Sequence, residues 1–397
     1  MIPSLLVWGV ADLFFVLSVT VAISFGILLP SLQKQLDLST TQLGLLGFAF
    51  FLSFGAMQFW TGSLIDSRGP RATLTASALV AAAGLILLSY ADHFLWAILA
   101  QVITGMGFSI AYVGAIYLAQ MWFSEKQFPV MSGITQMSAN IISSLALFCM
   151  ALSGALSLDV HTIAMRLGIL AFLLAILSFF LIRRAPSNSE ATSNRPFLQL
   201  DFLQLFRIPQ FWFGVLYFST NFGAFLAFSS LWNIPDSLSF GHSLETATMM
   251  SATLRFGGAF GAVASGILAR HIHRCSTIAK WYSTGTLLLG TFLIYGPTFP
   301  VPLTFLIMGL LGFFSGGTAL GFPIVAEHIP PTLKGAGFGL MTSFGYLLCA
   351  FFEYLIGTIL NSTHAFPFAL TPLAASLFIG WLCALKLQEK IPNQKIF

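Results

Sequence analysis

Three ionisable side chains stand inside long apolar runs of this sequence: Asp12 in VADLFFV, Arg255 in SATLRFGGAF and Glu353 in CAFFEYLI. A charge placed at the centre of a hydrocarbon layer costs at least ~2.5 kcal/mol on insertion scales, so each needs a partner or a task. Arginine offers a planar fork of donors that matches a carboxylate or phosphate. A carboxylate held out of bulk water can exchange a proton near neutral pH, which makes Asp12 and Glu353 candidates for proton coupling.

Helical spacing gives these residues polar company. Thr248, Ser251 and Arg255 fall on one helix face, and Thr342, Tyr346, Cys349 and Glu353 on another. Gln136 pairs with Asn140, and Tyr217 with Asn221, each four residues apart. Lipid would not satisfy such stripes, so they are expected to face a wet central cavity. The expected substrate-binding set is Arg255, Asn221, Gln136, Asn140, Tyr346 and Tyr217. Each has a plainer alternative. The amides could simply bond neighbouring helices, the tyrosines could be packing residues, and Arg255 could form a structural ion pair with Asp12 or Glu353. Gly257 and Gly261 beside Arg255 read as sites of close helix packing rather than chemistry.

The elements that must carry these residues are membrane helices. The chain has 397 residues, 57% hydrophobic and only 8% charged, against about 25% charged in soluble domains. A net charge of +4 gives no support to a nucleic-acid partner. Cys149, Cys275, Cys349 and Cys383 are scattered, with no C-x-x-C pair, so neither a disulfide framework nor a zinc site is suggested. The first apolar run lacks a basic leader and is too long for a signal-peptide core, so it reads as a retained span.

A spanning helix needs roughly 20 apolar residues. Twelve such runs are read near 5–29, 41–60, 72–90, 94–118, 128–154, 162–182, 210–233, 244–269, 276–296, 301–325, 336–360 and 366–385. One long link, from Arg183 to Ile208, separates six spans from six. The expected units are therefore 1–182, a linker 183–208 and 209–397. In the linker, Phe197, Leu198, Phe202, Leu205 and Phe206 could form one apolar face lying on the inner leaflet. With the N-terminus inside, the inner loops hold 14 of the 17 Lys and Arg, including Arg68, Arg71, Lys126, Arg183, Arg184, Arg195, Lys390 and Lys395. The positive-inside rule then places both termini in the cytoplasm.

A shift of 204 residues superimposes Trp8 on Trp212, Gly62 on Gly266, Leu64 on Leu268, Gly105 on Gly309 and Gly133 on Gly337. Each pair occupies the same place in spans one to six and seven to twelve. Paired six-span halves imply a substrate site near the bilayer midplane, between them. After the second span comes GSLIDSRGPR. It lacks the spacing of a phosphate-binding loop, and no strand precedes it.

This stretch resembles the loop signature of the major facilitator superfamily, G-x-L-x-D-[RK]-x-G-[RK]-[RK]. Gly62, Leu64, Asp66, Gly69 and Arg71 match, while Ser67 and Pro70 replace basic residues. Its G-P-R ending is similar to monocarboxylate and oxalate–formate type members. The resemblance implies an all-α membrane fold of two pseudo-symmetric six-helix bundles. It also implies a conformational gate at Gly62, Asp66, Gly69 and Arg71, with Asp66 latching against the start of span eleven, near Lys334 to Gly339, when the carrier opens outward. In the second half Arg270 stands where Asp66 stands in the first, so a second latch is not expected. Gln101 replaces an arginine common in span four, and the G-P-x-x-G-G run of many drug antiporters is absent from span five. His271, His273 and Cys275 read as a solvated basic loop rather than a metal site.

The expected function is secondary active transport of a small organic solute, anionic or zwitterionic, by alternating access and with possible proton symport. Export of amphipathic drugs or metabolites is the alternative. No protease, hydrolase or nucleotide-binding motif is present, so an enzyme is not expected. The remaining expectations are no cofactor and no metal, a monomer in a bacterial inner membrane, and partners limited to substrate, protons and lipid.

Overall fold

The computed structural model describes residues 2–124, 127–152, 159–182, 200–272, 274–330 and 333–389. Lys126, Arg183, Arg184, Arg195, Phe197, Leu198, His273, Lys390 and Lys395 lie outside these residues, and the side chains of Asp66 and Phe202 are likewise not described.

Among the described residues the structure is helical, and its helices fall on the twelve expected runs. They are α1 (Ile2–Leu36), α2 (Thr40–Arg68), α3 (Pro70–Ser89), α4 (Phe94–Trp122), α5 (Phe128–Leu152) and α6 (Val160–Leu181), then α7 (Pro209–Ser239), α8 (Leu244–Ile272), α9 (Cys275–Tyr295), α10 (Val301–Ala326), α11 (Lys334–Thr363) and α12 (Phe366–Lys386). Ten of these are long and apolar enough to cross a membrane. Several extend beyond the apolar runs, because hydrogen bonding continues into the polar ends where apolarity stops. Two irregularities matter. α7 contains a π-turn at Phe228–Trp232, and α10 a 3-10 turn at Gly316–Leu320.

Local chemistry sets the helix ends. Ser39 opens α2 with a capping box: its hydroxyl accepts from the Gln42 backbone N–H, and the Gln42 side chain accepts from the Ser39 N–H at 2.9 Å. Gly69 closes α2 at φ 78°, a conformation that favours glycine, and Pro70 starts α3 at a position where its missing N–H is harmless. Leu205, in a 3-10 helix over Leu200–Arg207, is buried among Phe211, Val325 and Ile329. This part of the linker face therefore packs on protein.

The internal symmetry is visible in equivalent contacts. Gly105 of α4 packs on the Phe50 carbonyl of α2, and Gly309 of α10 packs on Thr253 of α8. The paired tryptophans differ: Trp8 donates to Thr135 of α5 at 3.1 Å, whereas Trp212 donates to the Phe206 carbonyl of the 3-10 helix just before α7, at 3.0 Å. Gly257 and Gly261 behave as the sequence predicts. A Cβ on either would overlap backbone of α10 at Gly309 or Phe313. This contact pins α8 against α10 and fixes the backbone that carries Arg255.

The two ends of the bundle differ. At the far end, away from the chain termini, helices from before and after the linker meet. Gly26 of α1 lies 2.8 Å, at its would-be Cβ, from the Ser230 carbonyl of α7, and Gly44 of α2 presses on the Glu353 backbone of α11. Leu147 of α5 is buried with Ala247 and Ala252 of α8. At the terminal end, Gly9, Gly62, Gly133, Gly266 and Gly339 face open space, with no atom within 4 Å of a would-be Cβ.

Candidate functional site

The site grows from the π-turn of α7. A π-turn inserts one residue per turn and rotates the side chains that follow; such turns recur at functional sites. Here the turn FSSLW presents two adjacent serines to two opposite charges. Arg255 of α8 donates through Nη2 to the Ser229 hydroxyl at 3.1 Å. The Ser230 hydroxyl donates to Glu353 Oε1 of α11 at 2.6 Å and lies in hydrogen-bonding range of the Leu226 carbonyl as well. Arg255 is only 5% exposed and Glu353 only 1%.

The two charges do not pair with each other. Among the described residues the recorded ion pair within 4.0 Å is the surface pair His93–Asp92. Cys349, one turn before Glu353, lies within electrostatic reach of both. Arg255 Nε and Glu353 Oε2 are buried without a hydrogen-bond partner, as are Ser251 Oγ, Trp232 Nε1 and both amide atoms of Asn233. A buried charge without a counter-charge is expensive, by several kcal/mol after relaxation. Arg255 is thus a buried cation with one donor, Nε, left over.

Asp12 sits elsewhere. Ser138 of α5 is hydrogen-bonded to both of its oxygens, at 3.0 and 2.9 Å. Together with the Trp8–Thr135 bond, this ties α1 to α5, within the first six helices. The structural ion pair of Arg255 with Asp12 or Glu353, considered from the sequence, does not form in this conformation.

The other sequence candidates divide. Tyr346 lies on α11 two turns before Glu353, in an aromatic cluster with Phe54 at 4.5 Å, Phe222 at 5.3 Å and Phe51 at 6.3 Å between ring centroids. Gln136 is exposed and Asn140 half-buried on α5, where Asn140 donates to the Gln136 carbonyl at 2.8 Å. Tyr217 and Asn221 turn away. Tyr217 is buried and donates to the Gly317 carbonyl of α10 at 2.8 Å; Asn221 donates back to the Tyr217 carbonyl and packs on Gly380 of α12. Their shared face looks into the second six-helix bundle rather than toward the centre, because α7 is covered there by α10 and α12.

At the signature loop, Arg71 lies over the Phe179 ring of α6 at 4.4 Å, and Thr73 bonds the Gly69 carbonyl at 2.8 Å. At Gly62 no atom lies within 4 Å of a would-be Cβ, so no helix packs closely on it in this conformation. Sequence reading missed Ser138, Ser229 and Ser230. A Ser-Ser pair inside an aromatic run was the available signal, but nothing local announces a π-turn.

Comparisons with known proteins agree with this architecture. The family model described as Major Facilitator Superfamily matches residues 12–353. A protein described as a probable galactarate/D-glucarate transporter, GarP of Escherichia coli strain K12, is 23% identical over 395 residues, covering 89% of this chain and 87% of its own. The oxalate:formate antiporter of Oxalobacter formigenes is 26% identical over 286 residues, covering 69% and 65%. A probable sulfoacetate transporter, SauU of Cupriavidus necator, is 24% identical over 136 residues; the chain spans only 32% of its length. Among solved structures, a D-xylose-proton symporter superimposes with a TM-score of 0.74 at 15% identity, covering 98% of each chain. A mutant of the nucleoside transporter NupG gives 0.72, also at 15% identity, covering 97% of this chain and 98% of its own. By the family match over most of its length and by its multi-pass helical fold, the chain belongs to the major facilitator superfamily and is a transporter rather than an enzyme.

Proposed function

We propose that the chain carries a small organic anion across the membrane by alternating exposure of Arg255 to the two sides. The observation that carries this reading is the state of Arg255. It is a buried guanidinium with no counter-anion among the described residues and with Nε unsatisfied. A carboxylate or sulfonate would supply the missing charge and acceptors. The relatives named for oxalate, glucarate and sulfoacetate transport lend the class support.

The six helices before the linker and the six after it rock as two units in this proposal. With the termini in the cytoplasm of a bacterial cell, the conformation seen is open toward the cytoplasm and shut outside. Glu353 is the proton-coupling residue favoured here, since it lies where the two units meet. Asp12 is bound within one unit, and its surroundings would change less as they rock. Tyr346, Gln136 and Asn140 are the remaining candidates for contact with substrate.

The test is uptake of oxalate, glucarate and sulfoacetate into vesicles containing the purified chain. Arg255→Ala should abolish uptake. Arg255→Lys should lower affinity by about ten- to a hundredfold, a change of ~1.4–2.8 kcal/mol, because it keeps the charge and loses the fork. If Arg255→Ala carries these acids normally, or only shifts a spectrum of amphipathic compounds, the anion reading fails and the exporter reading replaces it. Uptake unaffected by collapse of the proton gradient rules out proton symport.

A further inference from the structure

We infer that Ser229 is a placeholder for the substrate anion, released from Arg255 when the anion binds. The inference rests on the anion reading above and specifies which part of Arg255 the substrate takes. Nε–H and Nη2 form one edge of the guanidinium, the edge that grips a carboxylate with two parallel hydrogen bonds. In this structure Nη2 is occupied by the Ser229 hydroxyl at 3.1 Å, while Nε on the same edge has no partner. Half of a bidentate edge is thus met by a neutral oxygen, and the other half is a buried donor with no acceptor. A single bond to a neutral hydroxyl is weaker than the bidentate ion pair that a carboxylate or sulfonate would make on the same edge.

The Ser229 hydroxyl also lies 3.3 Å from the Leu226 carbonyl, its own helix's acceptor, so it keeps a partner when Arg255 leaves. Ser229 sits in the π-turn, next to Ser230, whose carbonyl closes on Gly26 and whose hydroxyl holds Glu353. Exchange at Ser229 therefore removes the link between Arg255 and the segment of α7 that seals the far end. The ligand class selected is a planar or tetrahedral anion with two adjacent oxygens, small enough to reach the edge.

The roles of Ser229 separate by the sign of their effect. A hydroxyl that competes with substrate raises affinity when removed. One that binds substrate lowers affinity when removed, and one that only packs leaves it unchanged. The experiment titrates the purified full chain with oxalate, glucarate and sulfoacetate, with binding and thermal unfolding read on the same samples. Ser229→Ala should melt lower than wild type without ligand, since Arg255 loses its hydrogen bond to the π-turn. Its Kd for the anion should fall by about two- to tenfold, the range expected for losing one competing hydrogen bond. Ser229→Cys keeps the side-chain shape at slightly greater size but replaces a strong acceptor by a weak one, and should move in the same directions. It decides the matter if the alanine variant does not fold.

Weaker or unchanged binding in these variants, with Arg255→Ala unable to bind, overturns the placeholder role and leaves the anion reading standing. Normal binding by Arg255→Ala, or a wild-type chain that binds none of the three acids, overturns both.

Discussion

The far and terminal ends of the bundle are built from the same six helices, α1, α2, α5, α7, α8 and α11, yet only one end is shut. At the far end glycines let backbones touch: Gly26 against Ser230 and Leu231, Gly44 against Glu353, and Gly357 against Thr40. At the terminal end, Gly9, Gly62, Gly133, Gly266 and Gly339 occupy comparable places and touch nothing. α2 and α11 are joined by Ser343, which donates to the Gly55 carbonyl at 2.9 Å, and one turn further on Phe59 of α2 still packs against the cluster that holds Leu340 and Met341; contact is absent only from Gly62 onward. In the proposed cycle, these small residues at both ends would be the surfaces that close in turn. The two carboxylates divide the same way. Glu353 lies in the closed seam, where its Oε2 occupies space that any side chain at position 47 would need. Asp12 lies away from the seam, bonded within the first six helices.

The largest expected effect follows from that overlap. Gly47→Ala places a methyl group on the Glu353 carboxylate and should destabilise the closed far end by about 1–3 kcal/mol, the usual penalty of overpacking. Transport should fall roughly in proportion. Cross-linking between cysteines placed at Thr40 and Asn361, whose side chains bond at 3.2 Å across the seam, should fall with it. Undiminished cross-linking would show that the seam tolerates bulk and that the two ends differ less than their contacts suggest.

Glu353→Gln comes next. Closing the far end over Glu353 with no cation beside it asks the carboxyl to carry a proton. Cross-linking of the Thr40 and Asn361 cysteines in otherwise native protein, taken relative to the same cysteine pair in Glu353→Gln, should therefore decrease as pH rises. That reference removes the rise with pH that thiol ionisation gives any cysteine pair, and in Glu353→Gln uptake against a gradient is lost while exchange survives. Identical pH profiles in the two proteins would remove Glu353 from coupling. Arg255 and Cys349, the ionisable groups facing the same region, are unchanged in both, which isolates Glu353.

Gly62→Ala probes the open end. Its Cβ meets nothing here, so the conformation seen should gain the ordinary advantage of alanine over glycine in a helix, up to about 1 kcal/mol. Melting should rise slightly while transport slows, because closure of the terminal end is the state that suffers. Asp12→Asn should have the smallest effect. An amide still bonds Ser138, so stability should change by no more than about 1 kcal/mol, and transport should stay well above that of Glu353→Gln. Uptake lost as fully as in Glu353→Gln would make the two carboxylates equals and break the contrast between them.

Much of this architecture was legible in the sequence, because a membrane helix must satisfy its backbone internally and bury an apolar run of fixed length. Those rules placed twelve helices, singled out Arg255, Asp12 and Glu353 as costly, and gave Gly257 and Gly261 to packing. The 204-residue repeat and the loop around Asp66 pointed to the family. The sequence could not show which way a face looks. Tyr217 and Asn221 share a stripe as the spacing requires, but α10 and α12 cover that stripe. Helical periodicity tells which residues travel together, and only packing tells what they meet. The π-turn that brings Ser229 to Arg255 and Ser230 to Glu353 is a tertiary decision for the same reason. It depends on neighbours far away in sequence, and so does the choice of which end of the bundle is closed.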